Sequence, residues 1–176
     1  PERCLMVAQS RDPVICAKGM VLHPHVTFAH CPPLDYLLVP GGQGTRQAVD
    51  NPALVGFVAA RAPSCQAVLS VCTGAFLLHR AGLLAGRRAT THWGSLARLA
   101  ELGGVTVVQE RFVRDGNIWT AAGVSAGIDL ALALIADVAG EAVAGKVQLG
   151  AEYFPAGKIY GACDQNPAAP GYVRKR

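Results

Sequence analysis

The chain has 176 residues, 51% hydrophobic and 16% charged, with a formal net charge of +4. That apolar share excludes extended disorder, and the length suits one α/β domain with a sizeable core. Basic residues are scattered (Arg61, Arg80, Arg87, Arg88, Arg98, Arg111, Arg114) apart from a terminal Arg174-Lys175-Arg176 that reads as a frayed tail, which argues for a solvated face and against a nucleic-acid groove.

Residues 4–8 read as a short apolar strand and residues 10–13 as a turn; residues 14–17 and 20–22 flank Lys18-Gly19 as a small hairpin. His23, His25 and His30 fall in a loop with Pro24, without the carboxylate or fixed face that a metal set needs. Residues 34–39 (LDYLLV) predict a buried strand, ended by Pro40-Gly41-Gly42-Gln43-Gly44, where glycines let backbone approach a ligand closely. This is not a phosphate loop: the Lys-Ser/Thr of a P-loop is missing, and G-x-G-x-x-G is not matched. Asn51 as N-cap and Pro52 at the first position start a helix with Leu54, Val55 and Val58 on its apolar face, ended by Pro63-Ser64.

The next stretch is the most informative. Residues 67–71 form an apolar run of strand length, Cys72-Thr73-Gly74-Ala75 follows at once, and Phe76, Leu77 and Leu78 open a helix that stops near Gly82. Strand, sharp turn and helix put Cys72 on the turn, at the carboxyl edge of a sheet and beside amides that point out of a helix N-terminus. This is the logic of a nucleophile elbow, in which a strained turn exposes the nucleophile, nearby N–H groups hold an oxyanion and the helix end favours the thiolate. The alternative is a buried cysteine acting as a small hydrophobe.

Residues 86–93 lead into a helix carrying Leu96, Leu99 and Leu102, stopped by Gly103-Gly104. Residues 105–108 predict a strand, and residues 112–113 and 118–120 pair across Asp115-Gly116 as a hairpin. An apolar helix runs over residues 124–139 and a second over 141–149. Repeated strand–helix alternation is the rhythm of a parallel sheet covered on both faces, whose ligands sit outside the carboxyl ends of the strands, where the glycine loop and Cys72 both fall.

The six cysteines (Cys4, Cys16, Cys31, Cys65, Cys72, Cys163) form no C-x-x-C pair and no finger spacing with histidine, so neither a disulfide framework nor a zinc site is expected. There is no signal-peptide pattern, and the most apolar helix is interrupted by Asp129 and Asp137. The expectation is a cytoplasmic protein with reduced thiols and no cofactor.

The stretches LLVPGGQGT, VLSVCTGAFLL, AGLLAGRRATTHW, RFVRDGNIWTAAGVSAGIDLAL and Glu152-Tyr153-Phe154-Pro155, in this order, resemble the ThiJ/PfpI superfamily, also called class I glutamine amidotransferase-like. The resemblance runs over about residues 3–155 and implies a flavodoxin-like three-layer α/β/α sandwich, with residues 156–176 as an irregular C-terminal arm. GRRATTHW and the C-T-G elbow resemble two branches. One is isonitrile hydratase, a hydro-lyase that adds water to an isonitrile to give an N-substituted formamide. The other is the ligand-sensing half of AraC-type transcription regulators.

Carried over, the resemblance makes Cys72 the nucleophile and gives Thr73, through N–H and hydroxyl, the task of steadying the intermediate and positioning water. Gly42, with Gln43 beside it, matches the loop supplying a second oxyanion amide. His92 matches a histidine near the nucleophile, with a structural role beside Trp93 as the alternative; Trp93, like Trp119, is a pocket-lining candidate. Thr73 stands where proteolytic members carry histidine, so a Cys–His dyad and protease activity are not expected. The family's first strand and helix, which bring an acid to the cysteine, have no counterpart before Pro1, and Asp35, Asp50 and Glu101 do not replace that acid. The expectation is an N-terminally incomplete sequence whose sheet has an unpaired edge. Three functions follow: an isonitrile-hydratase-like enzyme, a sensor domain, or a redox or stress protein whose thiol is oxidised. A sensor would need a helix-turn-helix after about Leu149, and the 27 residues beyond it are too few. The resemblance also implies a homodimer acting on a small molecule, with no membrane and no direct nucleic-acid contact.

Overall fold

The computed structural model describes residues 4–155 and 160–174. Residues 156–159 of the predicted arm and the terminal Lys175-Arg176 lie outside the described residues. Strands β1 (Val7–Ala8), β2 (Val14–Ile15), β3 (Val21–Leu22), β4 (Val26–Thr27) and β5 (Tyr36–Val39) come first, followed by helices α1 (Thr45–Ala48) and α2 (Pro52–Arg61). Next are β6 (Ala67–Val71), α3 (Gly74–Arg80), β7 (Arg87–Ala89), α4 (Leu96–Glu101) and β8 (Val105–Val107). The hairpin β9 (Phe112–Asp115) and β10 (Ile118–Ala121) leads to α5 (Ala126–Ala139), α6 (Glu141–Gly150) and a last turn, α7 (Gly171–Arg174).

The central sheet has the order β5-β6-β10-β9, with β5, β6 and β10 parallel and β9 antiparallel at one edge. β6 is buried along nearly its whole length, as a strand covered on both faces must be, and this is why it reads as a continuous apolar run. Its side chains alternate between two cores. Val68 joins Leu37, Val39, Val58 of α2, Phe76 and Leu78 of α3 and Leu99 of α4 on one face. Leu69 joins Trp119 and Leu130 of α5 on the other. The three-layer α/β/α sandwich is therefore present, and the alternation of one strand holds both layers to it.

Local signals placed most elements. Asn51 caps α2 as expected, its side chain accepting from the amides of Ala53 at 3.0 Å and Leu54 at 3.2 Å. Gly103 and Gly104 stop the α4 segment with φ of 70° and 69°, which side chains resist. The hairpin pairs Asp115 with Ile118, so its central residues are Gly116 and Asn117, one position later than the Asp-Gly signal suggests.

Four features differ from the sequence reading. The predicted strand over residues 4–8 shortens to β1, and it pairs with β4 in a stretch taken as loop. Two of the loop histidines make local hydrogen bonds: His25 Nδ1 accepts from the Met6 amide at 2.9 Å, and His30 Nδ1 meets the Thr27 hydroxyl at 2.9 Å. β7 pairs with β8 where only a connection was expected. Part of the arm is regular and packed, with Tyr172 of α7 against the Trp119–Leu130 core. The two strand pairings join segments about twenty residues apart that short apolar runs cannot announce. β5 pairs with β6 alone, and its outer edge takes no strand among the described residues, leaving Leu38 51% exposed. No helix among the described residues is long and apolar enough to cross a membrane.

Candidate active site

Cys72 and Thr73 are the residues between the end of β6 and the start of α3. Cys72 has φ of 58°, the left-handed region that a non-glycine residue enters at a cost on the order of 1 kcal/mol. The surrounding structure imposes this conformation. The Cys72 amide donates to the carbonyls of Ala121 at 3.0 Å and Ala122 at 2.8 Å, at the end of β10, and the Cys72 carbonyl accepts from the Thr91 hydroxyl at 2.8 Å. Thr91 is fully buried. The main chain is thus gripped on both sides, while the thiol itself is half-buried.

Two glycines bring the loop after β5 against this turn. A Cβ on Gly41 would stand 2.6 Å from the Thr73 amide nitrogen and 2.7 Å from the Val71 carbonyl oxygen, and one on Gly74 would stand 2.2 Å from the Val39 carbonyl oxygen. Only glycine allows such approach of backbone to backbone. The amides of Thr73 and Gly74, at the start of α3, have no acceptor among the described residues. They are donors open to a negative charge developing beside the Cys72 sulfur.

The Gly42 amide is committed differently. It donates to Thr73 Oγ1 at 2.9 Å, so the sequence-matched loop amide meets the turn through the threonine hydroxyl. Thr45, 5% exposed at the start of α1, completes the arrangement: its hydroxyl lies 2.7 Å from the Gly42 carbonyl and 2.9 Å from Thr73 Oγ1. Thr73 in turn can donate to the Gly42 carbonyl at 3.1 Å. A hydroxyl has one proton and two lone pairs. The Gly42 N–H takes one lone pair of Thr73 Oγ1, and the two hydroxyl protons of Thr45 and Thr73 are distributed among three contacts with each other and the Gly42 carbonyl.

Gln43 is exposed, with its carbonyl accepting from the Arg46 amide at 3.3 Å. His92 lies next to Thr91; its Nδ1 accepts from the Gly94 amide at 3.2 Å, and its ring tilts against Trp93 with centroids 5.6 Å apart. Trp93 is 43% exposed, whereas Trp119 is buried in the core beneath α5. Among the described residues neither a carboxylate nor His92 hydrogen-bonds Cys72, Thr73 or Thr45. Asp35 instead lies by Cys65, whose thiol is pushed up first by burial and then by the Asp35 charge, which makes Cys65 a poor nucleophile. Ser70, in β6 two positions before Cys72, has a fully buried hydroxyl without a partner among the described residues.

Thr45, Thr91 and the carbonyls of Ala121 and Ala122 were not singled out from sequence. Thr91 stands inside the GRRATTHW stretch and Thr45 closes the LLVPGGQGT stretch; position within a family-like stretch was the only signal either carried.

The DJ-1/PfpI family model matches residues 3–137. An isonitrile hydratase of Pseudomonas putida is 43% identical over 158 residues, covering 89% of this chain and 69% of the relative. The HTH-type transcriptional regulator CdhR of Pseudomonas aeruginosa is 36% identical over 148 residues, 84% of this chain and 43% of that protein. Among solved structures, a ThiJ/PfpI family protein from Pseudomonas syringae superimposes with a TM-score of 0.85 at 36% identity, over 97% of this chain and 70% of that one. A positive-φ cysteine between β6 and α3, a glycine loop folded onto it and a family match over most of the length lead to one statement: the chain belongs to the DJ-1/PfpI family.

Proposed function

We propose that this domain is an enzyme that hydrates isonitriles through Cys72. The observation that carries the reading is the Cys72 turn itself, with its imposed φ of 58°, two unoccupied amides and the Thr73 hydroxyl beside it. The 43% identity to an isonitrile hydratase supports the choice of substrate.

In this reading the Cys72 sulfur bonds to the terminal isonitrile carbon, and the thiol proton ends on that carbon, giving an enzyme-bound thioimidate. Water then adds to the same carbon. The oxygen charge that develops is met by the Thr73 and Gly74 amides, and Thr73 O–H orients the water or the nitrogen lone pair. The carbon–sulfur bond breaks, one water proton stays on the nitrogen and the other returns to the sulfur to restore the Cys72 thiol, and the N-substituted formamide leaves with the elements of water added. Gly42, Thr45 and Thr91 hold Cys72 and Thr73 in place; Gln43, His92 and Trp93 are assigned to the substrate side by the family resemblance.

The test is formamide production from cyclohexyl isocyanide by the wild type beside Cys72→Ala and Cys72→Ser. Turnover lost in both variants supports the reading, and turnover retained in Cys72→Ala sinks it. A second reading, a ligand-sensing domain, draws on the 36% identity to a transcriptional regulator. Tight isonitrile binding without formamide would favour it.

A further inference from the structure

We propose that the groove between α1, α3 and α4 is a second ligand site, distinct from the Cys72 site, that takes a small organic anion: a carboxylate on an apolar body. Its volume of about 460 Å³ falls within the roughly 300–1,000 Å³ of small-molecule sites. Neither Cys72 nor Thr73 lines it, although Thr45 does. Val49 and Leu102 supply the apolar wall, and Phe76, buried behind it, carries the Arg98 guanidinium on its ring.

Arg46, Arg80 and Arg98 surround this wall against a single carboxylate, Asp50. Among the described residues the ion pairs belong to Arg87, Arg111 and Arg114, and the three groove guanidiniums have no carboxylate within 4.0 Å. His79 is engaged elsewhere, its Nε2 meeting the Gly103 carbonyl at 2.9 Å. Arg98 is the best prepared of the three: its guanidinium carbon lies 4.0 Å from the centroid of the Phe76 ring. Stacking occupies one face of the guanidinium and leaves its N–H edges free for a bidentate carboxylate. A guanidinium already ordered in this way loses less freedom when a ligand arrives. The excess of positive charge selects an anion, and the apolar wall selects an organic one over a hydrated inorganic ion.

The experiment is a titration of nitrogen-15-labelled protein with phenylacetate, benzyl alcohol and sulfate, followed by amide shifts. Phenylacetate should give saturable shifts at Arg46, Arg80 and Arg98, while the neutral alcohol and sulfate give none at equal concentration. Arg46→Ala and Arg98→Ala should each weaken binding about tenfold, and Arg98→Lys should recover only part of the loss. An equal response to sulfate, shifts centred on Cys72 instead, or unchanged affinity in both alanine variants would overturn the proposal. Both side chains are exposed, so the variants retain the fold, which a thermal melt checks. Turnover is not read, so the result stands whether or not the domain hydrates isonitriles.

Discussion

Thr45 and Thr73 lie 28 residues apart in the chain, and their hydroxyl oxygens stand 2.9 Å apart. The contact ties the start of α1 to the turn that carries Cys72, with the Gly42 carbonyl 2.7 Å from the Thr45 hydroxyl and 3.1 Å from the Thr73 hydroxyl. Thr45→Val keeps the shape and removes the proton. The expected result is a loss of about 1 kcal/mol in stability and a fall in turnover of roughly fivefold, the worth of one hydrogen bond. Thr45→Ser should restore both, which urea unfolding and a formamide assay would show.

Cys72 is held at φ of 58°, which glycine adopts freely and alanine does not. Replacing it by either residue should abolish turnover, but the two variants should differ in stability. Cys72→Gly should exceed Cys72→Ala by about 1 kcal/mol at the urea midpoint, the reverse of the usual order in regular structure. Equal midpoints would show that the turn relaxes without strain.

Gly41→Ala would place a methyl carbon 2.6 Å from the Thr73 nitrogen, 2.7 Å from the Val71 carbonyl oxygen and 2.8 Å from the Cys72 Cβ, none of which can swing aside. Overpacking of this kind costs about 1–3 kcal/mol, and here it also displaces the donors beside Cys72. Turnover should fall far more than stability. A variant as active as the wild type would mean the glycine loop does not need to touch the turn.

Ser70→Ala should stabilise the protein. Its hydroxyl is fully buried without a partner among the described residues, and such a group carries an uncompensated desolvation cost of about 1–3 kcal/mol. A rise in midpoint with unchanged turnover is expected; a drop would mean that the hydroxyl has a partner in solution.

Tyr153 links the end of the domain to α5, its hydroxyl donating to Asp129 at 2.8 Å. Burial first and the Asp129 bond second push its ionisation above the ordinary tyrosine value of 10.0. A raised value means the folded state prefers the neutral phenol. The stabilisation is therefore complete below pH of about 10 and is lost as pH rises through the folded value. Tyr172, raised by burial, acts in the same window. Melting temperatures from pH 8 to 11 should fall, and Tyr153→Phe should flatten part of that fall.

Much of this molecule is written locally. The apolar run of β6, the Cys72-Thr73-Gly74 turn, the Asn51-Pro52 helix start and the Gly103-Gly104 stop are each set by a few neighbouring residues, whose propensities and caps act within a turn or two of chain. The sequence by itself therefore determined the layered α/β architecture and the position of Cys72 on the turn after β6. Only the tertiary structure decided what grips that cysteine. The parallel register of β5, β6 and β10 brings Gly42, Thr45, Thr91 and the carbonyls of Ala121 and Ala122 onto one turn, and turns the Gly42 amide toward Thr73. The physical reason is range: hydrogen bonds between segments tens of residues apart follow from how side chains on both faces of a sheet pack, and no short window of sequence contains both partners.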